Sequence, residues 1–533
     1  MRLRQLLLGC LLLFWLCVGL VGCVALPKAI ESDRIVVGTA ARLRTLDPAD
    51  AYELLSGALL YALGDRLYTT RPDSVEIVPQ LATALPEISP DGLTYRIPLR
   101  QDVRFHDGSP FNAAAMAFSL QRFIKNGGRP SYLLGDRVAS IQATGDYELT
   151  IQLKAPFAPF LALLTFPGLC AVSPQAYQPA AGQFLPQQFV GTGPYRLESF
   201  QGDRLRLAAN RDYWGEKPRN EGLDIQIFSS PSNLYSALGT GLVDVAYQGL
   251  DAEQIRGLRQ QAAEGRIQIN NNDGLGIYYL TVNVLSPPLD RPEVRQALAL
   301  AINRDVIRDR VFYGQVQPLY SLVPSEFPVS EPDFPRNNPE QARAVLTAAG
   351  YSSSKPLKLD LWYRSNLNSN VLAASTLRAS VQQQLDGLID LQLQGVESTT
   401  AYENLEKGAY PLFLLDWLPD FLDADNYLQP FLACSQGNPQ QGCQSGSSYY
   451  QGSFYYSDRA NQLLQQAGES TDPQARDRLL RELQQLSAED LPFIPLWQNR
   501  EYLFSQPYIQ GGNIRASGAI AFGQLRKVKN VAR

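Results

Sequence analysis

Residues 79–122 read PQLATALPEISPDGLTYRIPLRQDVRFHDGSPFNAAAMAFSLQR, a stretch in which a strand, two turns and a helix are signalled in order. Thr94–Leu99 alternates polar and apolar side chains, the period of a half-buried strand. Asp91-Gly92 and Asp107-Gly108 predict turns, because aspartate bonds the backbone just after it and glycine accepts a positive φ. Asn112 reads as the N-cap of a helix carrying Met116, Leu120, Phe123 and Ile124 on one face, closed by Gly127-Gly128. No spacing of acid, base or nucleophile lies in the block. His106, the one histidine of the chain, falls in the Phe105–Gly108 turn, where a scaffold role through local hydrogen bonds is expected.

The block belongs to a chain of 533 residues, long enough for about three domains at roughly 100–200 residues each. A hydrophobic fraction of 45% with 19% charged residues is ordinary globular composition and supplies a large core. The net charge of −5 argues against nucleic acid as a partner, which favours a strongly basic face. At the N-terminus, Arg2 and Arg4 precede the apolar run Leu6–Val21, the arrangement of a secretory signal. Leu20-Val21-Gly22-Cys23 matches the bacterial lipobox. Residues 1–22 are therefore expected to be a lipoprotein signal peptide, with Cys23 lipidated and the mature chain anchored on the periplasmic or extracytoplasmic face of the cell membrane. A retained anchor is the alternative, since the run barely reaches the about 20 residues of a bilayer span.

Of six cysteines, Cys10 and Cys17 leave with the signal. Cys434 and Cys443 flank a Gly/Gln/Ser-rich loop, and exported proteins meet an oxidising compartment. A Cys434–Cys443 disulfide is expected, contributing roughly 2–3 kcal/mol for a loop of about ten residues; two free thiols are the alternative. Cys170, in an apolar stretch, is expected to be buried and inert.

After a tether over 24–33, Ile35–Gly38 reads as the first strand and Leu54–Leu67 as a helix. Leu149–Leu153, Arg204–Ala208, Leu357–Trp362, Ile389–Val396 and Leu412–Leu415 read as strands, and Pro156–Pro174 as a loop. Helices open at Pro292, Asn338-Pro339 and Asp472-Pro473, where proline suits the first helical position. The first is expected to run to Gly314 and the second to stop at Gly350. Strands interleaved with helices indicate α/β domains with mixed sheets. Gly191-Thr192-Gly193-Pro194-Tyr195 is not a dinucleotide loop: Arg196 stands where a third glycine is needed, and a strand follows in place of a helix.

Position by position, residues 79–122 resemble the central block of the family 5 extracellular solute-binding proteins. The resemblance continues in Gly191–Tyr195, Tyr213-Trp214-Gly215, Ala237-Leu238 with Gly241–Val245, Leu280–Asn283 with Pro292–Leu298, Ala301–Arg304, Tyr313-Gly314, Ala348–Tyr351 and Trp417–Asp420. The resembled proteins are receptors for oligopeptides, dipeptides, nickel complexes and some oligosaccharides that feed ABC importers. The resemblance implies a class II periplasmic-binding-protein fold, a two-lobed clamp with an extra inserted domain. Lobe I would be discontinuous over 34–70, 190–280 and 490–533, the inserted domain would span 71–189, and lobe II 281–489. A solute would be buried between the lobes by hinge closure. The same resemblance implies ABC permease subunits as partners, a monomer, no cofactor and no catalysed reaction. A short peptide is the expected ligand. An oligosaccharide or metal-chelate receptor on the same fold is the alternative, and an exported carboxylate-dependent hydrolase is the rival from another class.

A single histidine leaves little for Ser-His or Cys-His catalysis or for a zinc site, and no Gly-x-Ser-x-Gly elbow or P-loop is present. Trp417-Leu418-Pro419-Asp420 directly follows an apolar strand, and strand ends commonly carry ligand groups in α/β folds. In peptide-binding members of the resembled family, the aspartate of W-x-x-D pairs with the peptide α-amino group. Asp420 matches that position and Trp417 the pocket-lining tryptophan. Asp416 stands where those proteins commonly have glycine, and Phe421 replaces a common tyrosine. Capping of the turn before Phe421-Leu422-Asp423 is the alternative for Asp420. Tyr52, Tyr279 and Trp497 are further ligand-binding candidates by their places in the early loop, near the hinge passage and on the return into lobe I. Core packing is the alternative for each. Arg364 is a candidate partner for a peptide carboxylate.

Overall fold

The structure, a computed structural model, describes residues 32–72, 74–178, 182–515 and 518–528. The signal over 1–22 and the lipidation site Cys23 lie outside the described residues. Among the described residues, no helix is long and apolar enough to cross a membrane.

Two long strands organise the molecule. Gln268–Val282 and Phe493–Ser505 pair antiparallel and run through the middle of a mixed sheet of eleven strands. On one side of them lie Leu412–Trp417, Leu357–Arg364 and Ile389–Val396; on the other lie Val245–Tyr247, Ile35–Thr39, Gly222–Ile227, Arg204–Ala209 and Tyr195–Gln201. Ile35–Thr39 is parallel to both neighbours, as is Leu357–Arg364, whereas the long pair and the outer hairpin are antiparallel. Each half of the sheet has its own core. Apolar residues from Leu275 to Trp497 form one. Residues such as Ile35, Leu59, Leu223 and Leu503 form the other, with a further cluster around Leu234 and Phe504 on its opposite face.

The long pair breaks register between Asp273 and Ile277, where the chain passes from one half to the other. At the break, the Gly276 N–H donates to Asn499 Oδ1 at 2.8 Å and Gln498 Nε2 donates to the Gly274 carbonyl at 2.8 Å. A Cβ on Gly274 would stand 2.4 Å from Asn499 Oδ1, so a larger residue there would displace the side chain that bonds Gly276.

A separate antiparallel sheet, Glu87–Ile88, Thr94–Pro98, Glu148–Leu153 and Val138–Gly145, packs with the helix Ala113–Lys125 over a third core. This is the block of 79–122 with its sequel. Asn112 caps the helix as expected, accepting from the Ala115 N–H. The block is fastened to the first half by its own signature residues. His106 Nε2 donates to the Gly193 carbonyl at 3.0 Å, and the Gly191 N–H donates to His106 Nδ1 at 3.3 Å. Burial holds the imidazole at a pKa of about 4, so the neutral ring required by this pattern is the one present. Asp47, fully buried, takes a two-pronged ion pair from Arg122 of the same helix, at 2.7 and 2.6 Å.

Several sequence readings shift at their ends. The helix expected to reach Leu67 stops at Leu63, before extended Gly64. The helix opening at Pro292 ends at Ala301, and Asn303 caps a second one, Arg304–Arg310, before Gly314 at a φ of 76°. The Pro156–Pro174 loop holds the short helices Phe160–Leu163 and Pro167–Leu169. Cys434 and Cys443 form a disulfide across the hairpin Gln436–Asn438/Gly442–Ser445, and Cys170 is buried.

Candidate functional site

The strand Leu412–Trp417 runs beside the long pair, so its C-terminal end reaches the boundary between the two halves of the sheet. The chain beyond it turns back through Leu418–Leu422 and the single 3₁₀ turn Ala424–Tyr427. Asp423 caps that turn, accepting from the Asp425 N–H at 2.8 Å, and is held by Arg476. Asp420 does not cap it. Its own N–H donates to Asn426 Oδ1 at 2.8 Å, while the Trp417 indole N–H donates to the Asn426 carbonyl at 2.8 Å. One asparagine thus orients both members of the W-x-x-D segment.

The Asp420 carboxylate points across the boundary. Tyr52, from the loop fixed by Asp47, donates its hydroxyl to Asp420 Oδ1 at 2.6 Å. Tyr132 of the inserted domain lies 3.0 Å from the Tyr52 hydroxyl and is left to donate to it. Three parts of the chain therefore meet on one carboxylate. Burial pushes the Asp420 carboxyl up to about 6, the tyrosine bond offsetting only part of the desolvation.

Two cavities of about 300 and 330 Å³ open on either side of this contact, and Tyr52, Asp420 and Phe421 line both. Tyr52, Leu54, Tyr132, Leu418 and Tyr450, large apolar side chains that remain exposed, all face them. An aromatic wall of this kind binds by area and tolerates variety in what it covers. Phe421 is different: it is buried, joins the core of the inserted domain and meets Phe157 edge-on at 6.3 Å. The Ala158 N–H also donates to the Gly468 carbonyl at 2.7 Å. The inserted domain therefore touches the second half of the molecule on this side of the cleft.

Of the five ligand-binding candidates, Tyr52, Trp417 and Asp420 come together here. The other two do not. Tyr279 is 1% exposed, packed edge-on against Phe431 and Phe493, and Trp497 is 2% exposed, stacked on Tyr278 at 4.7 Å. Both face the core because the strand alternation at their positions turns them into it rather than toward the cleft. Arg364 is likewise spent: it pairs with Asp416 and donates to the Tyr402 hydroxyl. That contact explains the carboxylate at position 416, which serves the back of the strand. Tyr132, Asn426, Asp425 and Glu501 were not foreseen. Asp425 and Asn426 lie five and six residues past Asp420, and only the reversal of the chain brings them to it.

Comparisons with known proteins agree with this architecture. Over residues 76–439 the chain matches the middle region of the bacterial extracellular solute-binding proteins, family 5. It is 28% identical to the glutathione-binding protein GsiB of Salmonella typhi, over 90% of this chain and 92% of that one. It is 26% identical to the probable D,D-dipeptide-binding periplasmic protein DdpA of Escherichia coli K12, over 94% of each. Among solved structures, the periplasmic binding protein DppA of Helicobacter pylori in complex with the peptide STSA superposes with a TM-score of 0.74 at 25% identity, over 93% of this chain and 98% of that one. NikA of Brucella suis in complex with Fe(III)-EDTA gives a TM-score of 0.80 over 93% of this chain and 100% of that one, and its 22% identity carries the fold alone. Proteins of this kind bind solutes and are not enzymes. With over half its length matched, the chain belongs to the bacterial extracellular solute-binding proteins of family 5.

Proposed function

We propose that this protein captures a short peptide between its two lobes, with the peptide's free amine on Asp420, and presents it to the permease of an ABC importer. The observation that carries this reading is the Asp420 carboxylate. It is desolvated, oriented by Asn426, bonded by one neutral hydroxyl and set between two aromatic-walled cavities. An ammonium in that position gains a charge-assisted bond in a water-poor setting. Trp417 and Tyr52 form the walls around it. The names of the relatives support a peptide: one binds glutathione, another is assigned to D,D-dipeptides, and a solved neighbour holds STSA.

The division into lobe I (34–70, 190–280, 490–533), inserted domain (71–189) and lobe II (281–489) is part of this proposal. It is supported by the separate cores and by the register break in the long strand pair. So are the lipid anchor at Cys23 and action as a monomer at the membrane surface. Calorimetry on Asp420→Asn tests the amine contact: peptide affinity is expected to fall by about 3–5 kcal/mol, as when one partner of a buried charged pair is removed. Unchanged affinity would remove Asp420 from the site. Mass spectrometry of the ligand that copurifies tests the class, and a sugar or metal chelate there would replace the peptide.

A further inference from the structure

The charges lining the cleft are lopsided. In the cavity of about 300 Å³, the charged lining residues among the described residues are Glu53, Asp420 and Glu501, with no Lys, Arg or His. Glu53 is neutralised by Arg44. Glu501 is not paired: its carboxylate accepts from Asn499 Nδ2 at 2.7 Å, and among the described residues no cation lies within ion-pair distance. Gln248 adds a side-chain carbonyl oxygen that has no donor among the described residues.

The second cavity repeats the pattern. Among the described residues, Asp136, Asp420 and Asp425 line it against one cation, Arg137, whose guanidinium lies over the Phe157 ring at 4.2 Å. Asp425 is 5% exposed, yet among the described residues its carboxylate accepts no hydrogen bond and forms no ion pair. The nearby Arg476 is committed to Asp423. Burial, and then the Asp423 charge, push the Asp425 carboxyl up to about 7, with Arg476 and Arg137 pulling it down. Buried carboxylates without donors are costly, and an occupant that supplies positive charge removes that cost.

Resting on the peptide reading above, we propose that the cleft selects dicationic ligands. These are short peptides whose amine meets Asp420 and whose lysine or arginine side chain meets Glu501 or Asp425. An anionic peptide such as glutathione, the ligand named for one relative, is disfavoured because its carboxylates would face this acidic lining.

The test is calorimetry of the mature protein, stripped of copurified ligand, with Ala-Lys, Lys-Ala, Ala-Met, Ala-Glu and glutathione. The lysine dipeptides are expected to bind at least about tenfold more tightly than Ala-Met, and Ala-Glu and glutathione most weakly. In at least one of Glu501→Gln and Asp425→Asn the lysine preference should fall toward one while Ala-Met affinity holds, and a preference retained in both overturns the proposal. If Asp425→Asn fails to fold, Asp425→Ser takes its place in that comparison. Equal affinities across the series, or tighter binding of the acidic peptides, overturn it while leaving the peptide reading intact. If no peptide binds, or Asp420→Asn binds them all as wild type does, the peptide reading itself falls and this inference with it.

Discussion

The turn around His106 and the loop around Asp420 are both rich in polar groups, and they treat them in opposite ways. At the turn the imidazole and the carboxylates are all bonded. Both ring nitrogens of His106 are bonded, and Asp107 accepts from Ser109 and Ser173. Behind it, Asp65, fully buried, accepts from Gln80, Thr192, Tyr213 and Trp214. At the loop, among the described residues, Asp420 has one neutral donor and Asp425 none. A scaffold closes its hydrogen bonds internally, because buried polar groups without partners cost stability. A site of the kind proposed around Asp420 leaves them open for what arrives.

Breaking the closed region should cost folding. Asp47→Asn leaves the Arg122 guanidinium buried without its counter-charge, in the contact that ties the inserted domain to the Tyr52 loop. A stability loss of about 3–5 kcal/mol is expected from urea unfolding. A loss below about 1 kcal/mol would show that the pair is dispensable and the comparison too sharp.

His106 gives a pH signature of the same closure. Its folded pKa of about 4 lies below the ordinary value of 6.5, so between these values the unfolded chain binds the proton first. Stability is therefore full above pH 6.5 and falls as pH drops toward 4, by about 3 kcal/mol in all. Urea midpoints at pH 7 and 4.5 should show this decline in wild type and a smaller one in His106→Gln. Equal slopes would release His106 from its scaffold role.

The open region should respond in binding. With Asp420 titrating at about 6 in the unliganded cleft, peptide affinity should rise with pH up to 7. At pH 5 it should be about tenfold weaker, because one proton must leave for the amine to bind. A pH-independent affinity would mean that the carboxylate is charged throughout.

The smallest effect has the opposite sign to those in the scaffold. The Asp420 pKa is raised, so its penalty is absent below about 3.8, grows as pH climbs to 6 and is full above that. Asp420→Asn should leave the unliganded protein as stable as wild type at pH 7, or about 1 kcal/mol more stable, by thermal melting. A clear loss would place Asp420 with the scaffold.

Local chemistry explains what could be read early. Asn112, Asn338 and Asp472 cap helices where the sequence places them, since capping depends on the next three residues alone. Strand Ile389–Val396 matches to the residue. The long strands escaped because Gln268–Val282 crosses from one core to another: its Asn270–Asp273 and Gly274–Gly276 break any period of two.

Trp417 and Asp420, singled out by their likeness to the family's W-x-x-D segment at the end of an apolar strand, and Tyr52, singled out by its place in the family's early loop, were brought to the cavities by the fold. Tyr279 and Trp497 were not, since burial depends on which way the sheet turns a residue. The chain by itself determined the family, the caps, the turns and the likeness of Asp420 to an amine site, all fixed by neighbours in sequence. Tertiary structure alone decided that His106 clamps Gly191–Gly193, that Asp416 is spent on Arg364, and that Asp425 and Glu501 face the cleft beside Asp420. Those are contacts between distant segments, and only packing brings them within reach of one another.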